Sequence, residues 1–153
     1  MMWTRDITIM KRNMEKVFLD TNVAADFIIE RKPWFDPAAS IIELGNRKRV
    51  EIYCSTITFS TLSYLMERCF LSPLEIVEKL RAFQVVCYPL PADIGILNRA
   101  YTLGFSDFED AIQYATAEAA KADVIVTRDR HGFDLAKIPV LTPDEYLDRE
   151  ILL

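Results

Sequence analysis

Asp107, Glu109 and Asp110 crowd into four consecutive positions of the segment GFSDFEDAIQYATA, directly before an apolar, alanine-rich run. Acids in that place have two uses. Ser106 and Glu109 have the spacing of a capping box, in which each side chain bonds the other residue's free backbone N–H. Asp107 and Asp110 stand where the helix dipole favours carboxylates by about 0.3–1 kcal/mol each. The other use is to hold a cation. Two more aspartates close apolar segments elsewhere, Asp20 in KVFLD and Asp129 in ADVIVTRD, and carboxylates from separate segments are what a hard divalent ion requires.

Whether these acids meet depends on the elements that carry them. KVFLD reads as a strand, and NVAADFIIERK after it as a helix with Val23, Phe27 and Ile28 on one stripe. DPAASIIELGNRKR opens with Asp36 at the N-cap position and Pro37 as the first helical residue. VEIYCS alternates as a strand does. ITFSTLSYLMERCF and PLEIVEKLRAF are helical, the latter capped by Ser72, and QVVCYPL is a third strand. ADIGILNRAYTLG forms a helix ending at Gly104, the acidic segment begins another, ADVIVTRD is a fourth strand, and IPVLTPDEYL supplies a short fifth strand and a closing helix capped by Thr142. Strands interleaved with helices imply an α/β fold, a three-layer α/β/α sandwich around a mostly parallel central sheet of four to five strands. Residues 1–13 read as an N-terminal arm and 14–153 as a single domain.

Open parallel sheets bind ligands beyond the carboxyl ends of their strands, where strand order reverses. Asp20 and Asp129 lie at such ends. The acidic helix feeds the fourth strand, so its N-terminus is expected at the same edge. Phe108, Ala111, Ile112, Ala115 and Ala119 follow the apolar period and face the sheet, which turns Asp107 and Asp110 to the edge and Glu109 away. Gathered carboxylates repel and raise one another's pKa unless a cation neutralises them. With oxygen ligands and neither His nor Cys among them, Mg²⁺ or Mn²⁺ is the expected ion. Such an ion activates water and neutralises phosphodiester charge.

Composition constrains the partners. With 51% hydrophobic and 27% charged residues the 153-residue chain reads as a folded domain, and its apolar runs are too short to span a bilayer. Net charge is −5, so a polyanionic substrate needs local basic help or bridging cations. Cys54, Cys69 and Cys87, an odd number without metal-ligand spacing, read as reduced core thiols of a cytoplasmic protein. Arg31, Lys32 and the NRKR run at 46–49 are candidate phosphate contacts, although solvated helix ends explain them as well. His131 reads as a surface turn residue rather than a general base. Tyr64 and Tyr114 read as packing residues.

VFLDTNV, DFEDAIQYATA and VIVTRDRHGF, in that order, make residues 16–147 resemble a PIN domain of the VapC type. That resemblance implies a metal-dependent endoribonuclease, the toxin half of a toxin–antitoxin pair, with RNA as substrate, an antitoxin protein as partner and a possible homodimer. It carries the metal and catalytic positions onto Asp20, Asp110 and Asp129, with Asp107 as an additional acid and Thr21 and Asn22 orienting the first. One position departs from the pattern. The family's usual glutamate after the second strand falls on Thr61 in STITFSTL, which keeps open a noncatalytic module that binds RNA or a partner. A phosphatase of the haloacid dehalogenase type also begins with an aspartate after its first strand, but Asn22 replaces that family's second aspartate.

Overall fold

The computed structural model describes residues 13–151. The arm expected over residues 1–13 therefore lies, except for Asn13, outside the described residues. Five strands, β1 (Glu15–Leu19), β2 (Val50–Ser55), β3 (Cys87–Leu90), β4 (Val124–Val126) and β5 (Val140–Leu141), form one sheet in the order β3-β2-β1-β4-β5. All pairings are parallel, with Val17 opposite both Ile52 and Val124, and Leu19 opposite Val126. Val17, Phe18, Leu19, Val124, Ile125 and Val126 are wholly buried, as two strands covered on both faces demand.

Side chains alternate across the sheet, and the core divides accordingly. Val17, Leu19, Val124 and Val126 pack against α1 (Thr21–Ile28), α2 (Phe35–Asn46), α3 (Thr56–Arg68), α4 (Pro73–Val86) and α7 (Pro143–Ile151). Phe18 and Ile125 face the opposite layer, with Tyr114 of α6 (Phe108–Ala119) and Phe133 of a 3₁₀ turn (Arg130–Phe133). A third cluster joins α6 to α5 (Ile94–Tyr101). The result is the three-layer α/β/α sandwich that the interleaved pattern implies.

Several boundaries differ from the sequence reading. Gln84, Val85 and Val86 belong to the last turn of α4, and β3 starts only at Cys87. Their β-branched valines favour a strand, but the capping box of Ser72 and Glu75 starts a helix that runs through them. Helix α2 begins at Phe35 with Trp34 at the cap, so Asp36 is a first-turn acid and not the N-cap. Helix α1 stops at Ile28, and Glu30 then adopts a left-handed backbone with φ of 53°. Helix α5 ends at Tyr101, and Gly104, with φ of 73°, turns the chain after it. No described helix is long and apolar enough to cross a membrane.

Candidate functional site

Chain order reverses at the centre of the sheet: β1 leads outward to β2 and β3 on one side, and β4 and β5 fill the other. A crevice at the carboxyl ends of β1 and β4 follows from that topology. Asp20 leaves β1 directly into α1 as its N-cap. Its Oδ1 accepts the Thr21 N–H at 2.8 Å and its Oδ2 accepts the Thr127 hydroxyl at 2.8 Å. Asn22 Nδ2 donates to Thr127 Oγ1 at 3.2 Å, and Asn22 Oδ1 accepts the Arg128 N–H at 3.2 Å. One asparagine therefore ties the end of β1 to the segment after β4, as expected for a residue orienting Asp20.

Behind Asp20 the Thr21 and Thr58 hydroxyls stand 2.8 Å apart, and Gln113 Nε2 donates to both, at 2.7 and 3.3 Å. This buried network joins α1, α3 and α6. Gln113 was not legible as a positioning residue, because in the helical pattern it is one polar side chain among alanines. Thr61 lies one turn beyond Thr58 on α3 and is half-buried.

Asp129 caps the 3₁₀ turn, accepting the His131 N–H at 3.2 Å, while its own N–H donates to Thr127 Oγ1 at 3.1 Å. His131 itself is exposed, as its reading as a turn residue requires. Asp107 caps α6 by accepting the Asp110 N–H at 3.1 Å. The expected Ser106–Glu109 capping box is therefore not formed: the helix starts two residues later than Ser106, and Asp107 performs the capping. Phe108, assigned by periodicity to the sheet face, is 44% exposed and stacks on Tyr101 at 5.2 Å. Glu109, released from capping, is exposed, and its charge adds to the rise of both Asp20 and Asp110.

The electrostatics register this crowding. Asp20 is 6% exposed, and burial pushes its carboxyl above the usual range, opposed by its hydrogen bonds from Thr127 and Thr21 and reinforced by Glu109 and Asp129. Burial also raises Asp110, and the charges of Asp20, Asp107, Asp129 and Glu109 bring it up to about 7. A helix dipole supplies only about 0.3–1 kcal/mol in the other direction, so repulsion wins. Asp20, Asp107 and Asp129 thus all act on Asp110, and Asp129 acts on Asp20.

Gly132 sets where Asp110 lies. A Cβ built on Gly132 would stand 2.2 Å from Asp110 Oδ2 and 2.9 Å from its Cγ, so the carboxylate occupies the space a side chain would fill. Gly132→Ala is expected to displace that carboxylate and weaken Mn²⁺ binding by about 10–100-fold, the usual cost of disturbing the groups around a metal. Isothermal titration with Mn²⁺ measures this, and unchanged affinity would show that Asp110 does not contribute a ligand from this position.

The donor set fits a hydrated ion better than a closed cage. Among the described residues no three His, Cys, Asp or Glu side chains approach closely enough to enclose a metal by themselves. Mg²⁺ is reluctant to dehydrate, keeps several waters and needs only one or two carboxylates, so an open arrangement of hard oxygens suits it.

A second acidic residue is buried for a different reason. Asp26 is 1% exposed and receives Arg128 Nε on Oδ2 at 2.6 Å and Arg128 Nη2 on Oδ1 at 3.3 Å, with Arg31 Nε 3.3 Å from Oδ1 as a further ion pair. This clamp fixes the residue beside Asp129. Asp26→Ala is expected to cost about 3–5 kcal/mol, because it strands paired charges, and urea denaturation reads the loss directly. Arg31, a candidate phosphate contact, is thus engaged with Asp26, and Lys32 pairs with Asp36 at 3.3 Å. In the NRKR run Arg47 pairs with Glu43 at 2.8 Å. Tyr114 is buried and packs against Phe105 at 5.2 Å, whereas Tyr64 is exposed.

Known proteins agree with this architecture. A sequence model described as PIN domain matches residues 16–131. Ribonuclease VapC1 of Aquifex aeolicus (strain VF5) is 24% identical over 142 residues, covering 90% of this chain and 96% of that protein. Among solved structures, VapBC2 from Rickettsia felis bound to a DNA fragment from their promoter superposes with a TM-score of 0.64 at 17% identity, covering 83% of this chain and 98% of the other. A toxin–antitoxin complex from Klebsiella pneumoniae gives 0.63 at 21% identity, with 83% and 97% coverage. FitAcB from Neisseria gonorrhoeae gives 0.59 at 20% identity, again with 83% and 97% coverage. With the family's match extending over most of the fold and both strand-end aspartates inside it, the chain belongs to the PIN domain family.

Proposed function

We propose that this chain is a divalent-metal-dependent endoribonuclease and the toxin component of a toxin–antitoxin pair. Asp20, Asp110 and Asp129 are the metal-holding and catalytic residues in this reading, one or two of them by direct contact and the rest through the ion's waters, with Asp107 supporting Asp110 by accepting its backbone N–H. The observation that carries it is placement: Asp20 and Asp129 follow the carboxyl ends of β1 and β4 at the sheet's switch point, and the Asp110 carboxylate lies against Gly132 in the turn after Asp129, in a chain similar to a ribonuclease. When bound, Mg²⁺ or Mn²⁺ lowers the pKa of a coordinated water and neutralises charge on the phosphodiester.

The protein's own residues do the rest. Thr127, Thr21 and Asn22 aim the buried Asp20 carboxylate by donating to it, opposing the effect of burial, and the Thr21–Thr58–Gln113 network fixes its helix from behind. Hydrolysis joins a water oxygen to phosphorus and breaks the opposite P–O bond, so the carboxylates must be positioned before the substrate arrives. An antitoxin inhibits by setting a basic side chain against the same carboxylates, and a homodimer belongs to the same reading. The test is incubation of single-stranded RNA with purified protein: cleavage with Mg²⁺, none with chelator, and suppression by an antitoxin partner.

Thr61 favours a second reading, a noncatalytic module that binds RNA or a partner, because a hydroxyl stands where the family carries a carboxylate. Thr61→Glu separates the two. If the site works as a metal-dependent nuclease, the added oxygen ligand raises Mn²⁺ affinity by about tenfold. Absence of Mn²⁺ binding at millimolar concentration in both forms would favour the noncatalytic module.

A further inference from the structure

We propose that the hollow formed by Trp34, Pro37, Arg128, Thr142, Pro143 and Asp144 seats one unpaired nucleobase of single-stranded RNA. The hollow measures about 250 Å³. It adjoins the acidic edge, because Arg128 is followed directly by Asp129. The inference deepens the nuclease reading and rests on it for the identity of the polymer, but its chemistry is that of the hollow alone.

Trp34 has no fold-building duty that requires an indole. It occupies the N-cap position of α2 without making a side-chain capping bond, where Ser, Thr, Asp or Asn is preferred, and it remains 42% exposed. What covers it is the Arg128 guanidinium, 4.1 Å from the ring centre. Arg128 cannot swing away, since Nε and Nη2 are both bonded to the buried Asp26. The Nε/Nη2 edge of its fork is therefore occupied, and the guanidinium is held in place over the Trp34 ring. A further flat layer can join this pair, and nucleobases stack on aromatic and arginine planes without regard to sequence.

The remaining lining decides between base and backbone. Pro143, buried, and Pro37 present apolar surface, and the exposed Asp144 carboxylate accepts hydrogen bonds and repels phosphate. A base with its amino groups fits that rim, whereas a phosphate does not. Arg128 and Arg31 together offset the charges of Asp26 and Asp144, so the hollow is close to neutral in an otherwise acidic chain, which suits an uncharged base.

The test uses Trp34 as its own reporter. Trp3 is the other tryptophan, so full-length Trp3→Phe protein is titrated with a short single-stranded RNA in Ca²⁺, and separately with inorganic polyphosphate. Quenching by RNA and not by polyphosphate is expected. Trp34→Ala should weaken RNA binding by about 5–100-fold and raise KM with kcat retained, while Trp34→Phe keeps most of the affinity. Equal quenching by polyphosphate, or unchanged affinity and KM in folded Trp34→Ala, overturns the inference and leaves the nuclease reading intact. RNA that quenches Trp34 but is never cut with Mg²⁺ or Mn²⁺ sinks the nuclease reading and upholds the hollow. Wild-type protein that binds no RNA refutes both.

Discussion

Asp20→Asn is expected to lower RNA cleavage by on the order of a thousandfold, the scale seen when one preorganised electrostatic group is removed from an active site. Asparagine caps a helix as well as aspartate, so the bond from the Thr21 N–H survives through the amide oxygen and α1 keeps its start. What disappears is the charge that the Thr127 hydroxyl and Asn22 amide are arranged to support. Initial rates with Mg²⁺, alongside circular dichroism to confirm folding, measure the effect. Cleavage at the wild-type rate by the folded variant would rule Asp20 out as a metal-holding residue.

Asp110→Asn should likewise remove cleavage, again by on the order of a thousandfold, yet make the metal-free protein more stable above neutral pH. In the folded chain Asp110 has its carboxyl raised to about 7 by burial and by Asp20, Asp107, Asp129 and Glu109. The folded state then holds a proton that the unfolded chain has already lost, so stability is fully present below the usual carboxylate range and falls as pH rises through about 7. Asparagine abolishes that loss. Melting temperatures should lie closest below about pH 4, where the group is protonated in the folded and the unfolded chain alike, and should have separated by roughly 2–4 °C at pH 8. That figure corresponds to about 1 kcal/mol in a domain of this size, already discounted because the carboxylate is partly exposed. Mn²⁺ affinity of the wild type should fall up to about tenfold per pH unit below that midpoint, since one proton competes with the ion. Coincident melting curves at pH 8 would mean that the acids do not repel one another as their positions require.

Both variants target residues that the sequence makes conspicuous, and the reason is positional. Asp20 and Asp129 follow runs of buried β-formers, so the strand-end rule places them together without knowledge of any contact. The acidic helix was harder. SDFED offers several competing caps, and the choice of Asp107 over Ser106 rotates the assignment, freeing Glu109 to act on the cluster. Nothing local distinguishes these options, because their energies differ by less than a turn of helix is worth. Asp26 was less legible still. It sits in an apolar helical stripe, and its burial depends on Arg128, 102 residues away. Gln113 and Thr58 belong to the same class, polar side chains whose partners are supplied by other helices. Periodicity reports which face is buried, but not which polar group will find a partner once it is.

Asp20, Asp107 and Asp129 each begin a helical segment, whatever else they do. A single transition in an aspartate codon yields asparagine, and the turn that follows keeps its first bond. Under the nuclease reading, one base change at any of these codons therefore removes a carboxylate while leaving the fold its helix start.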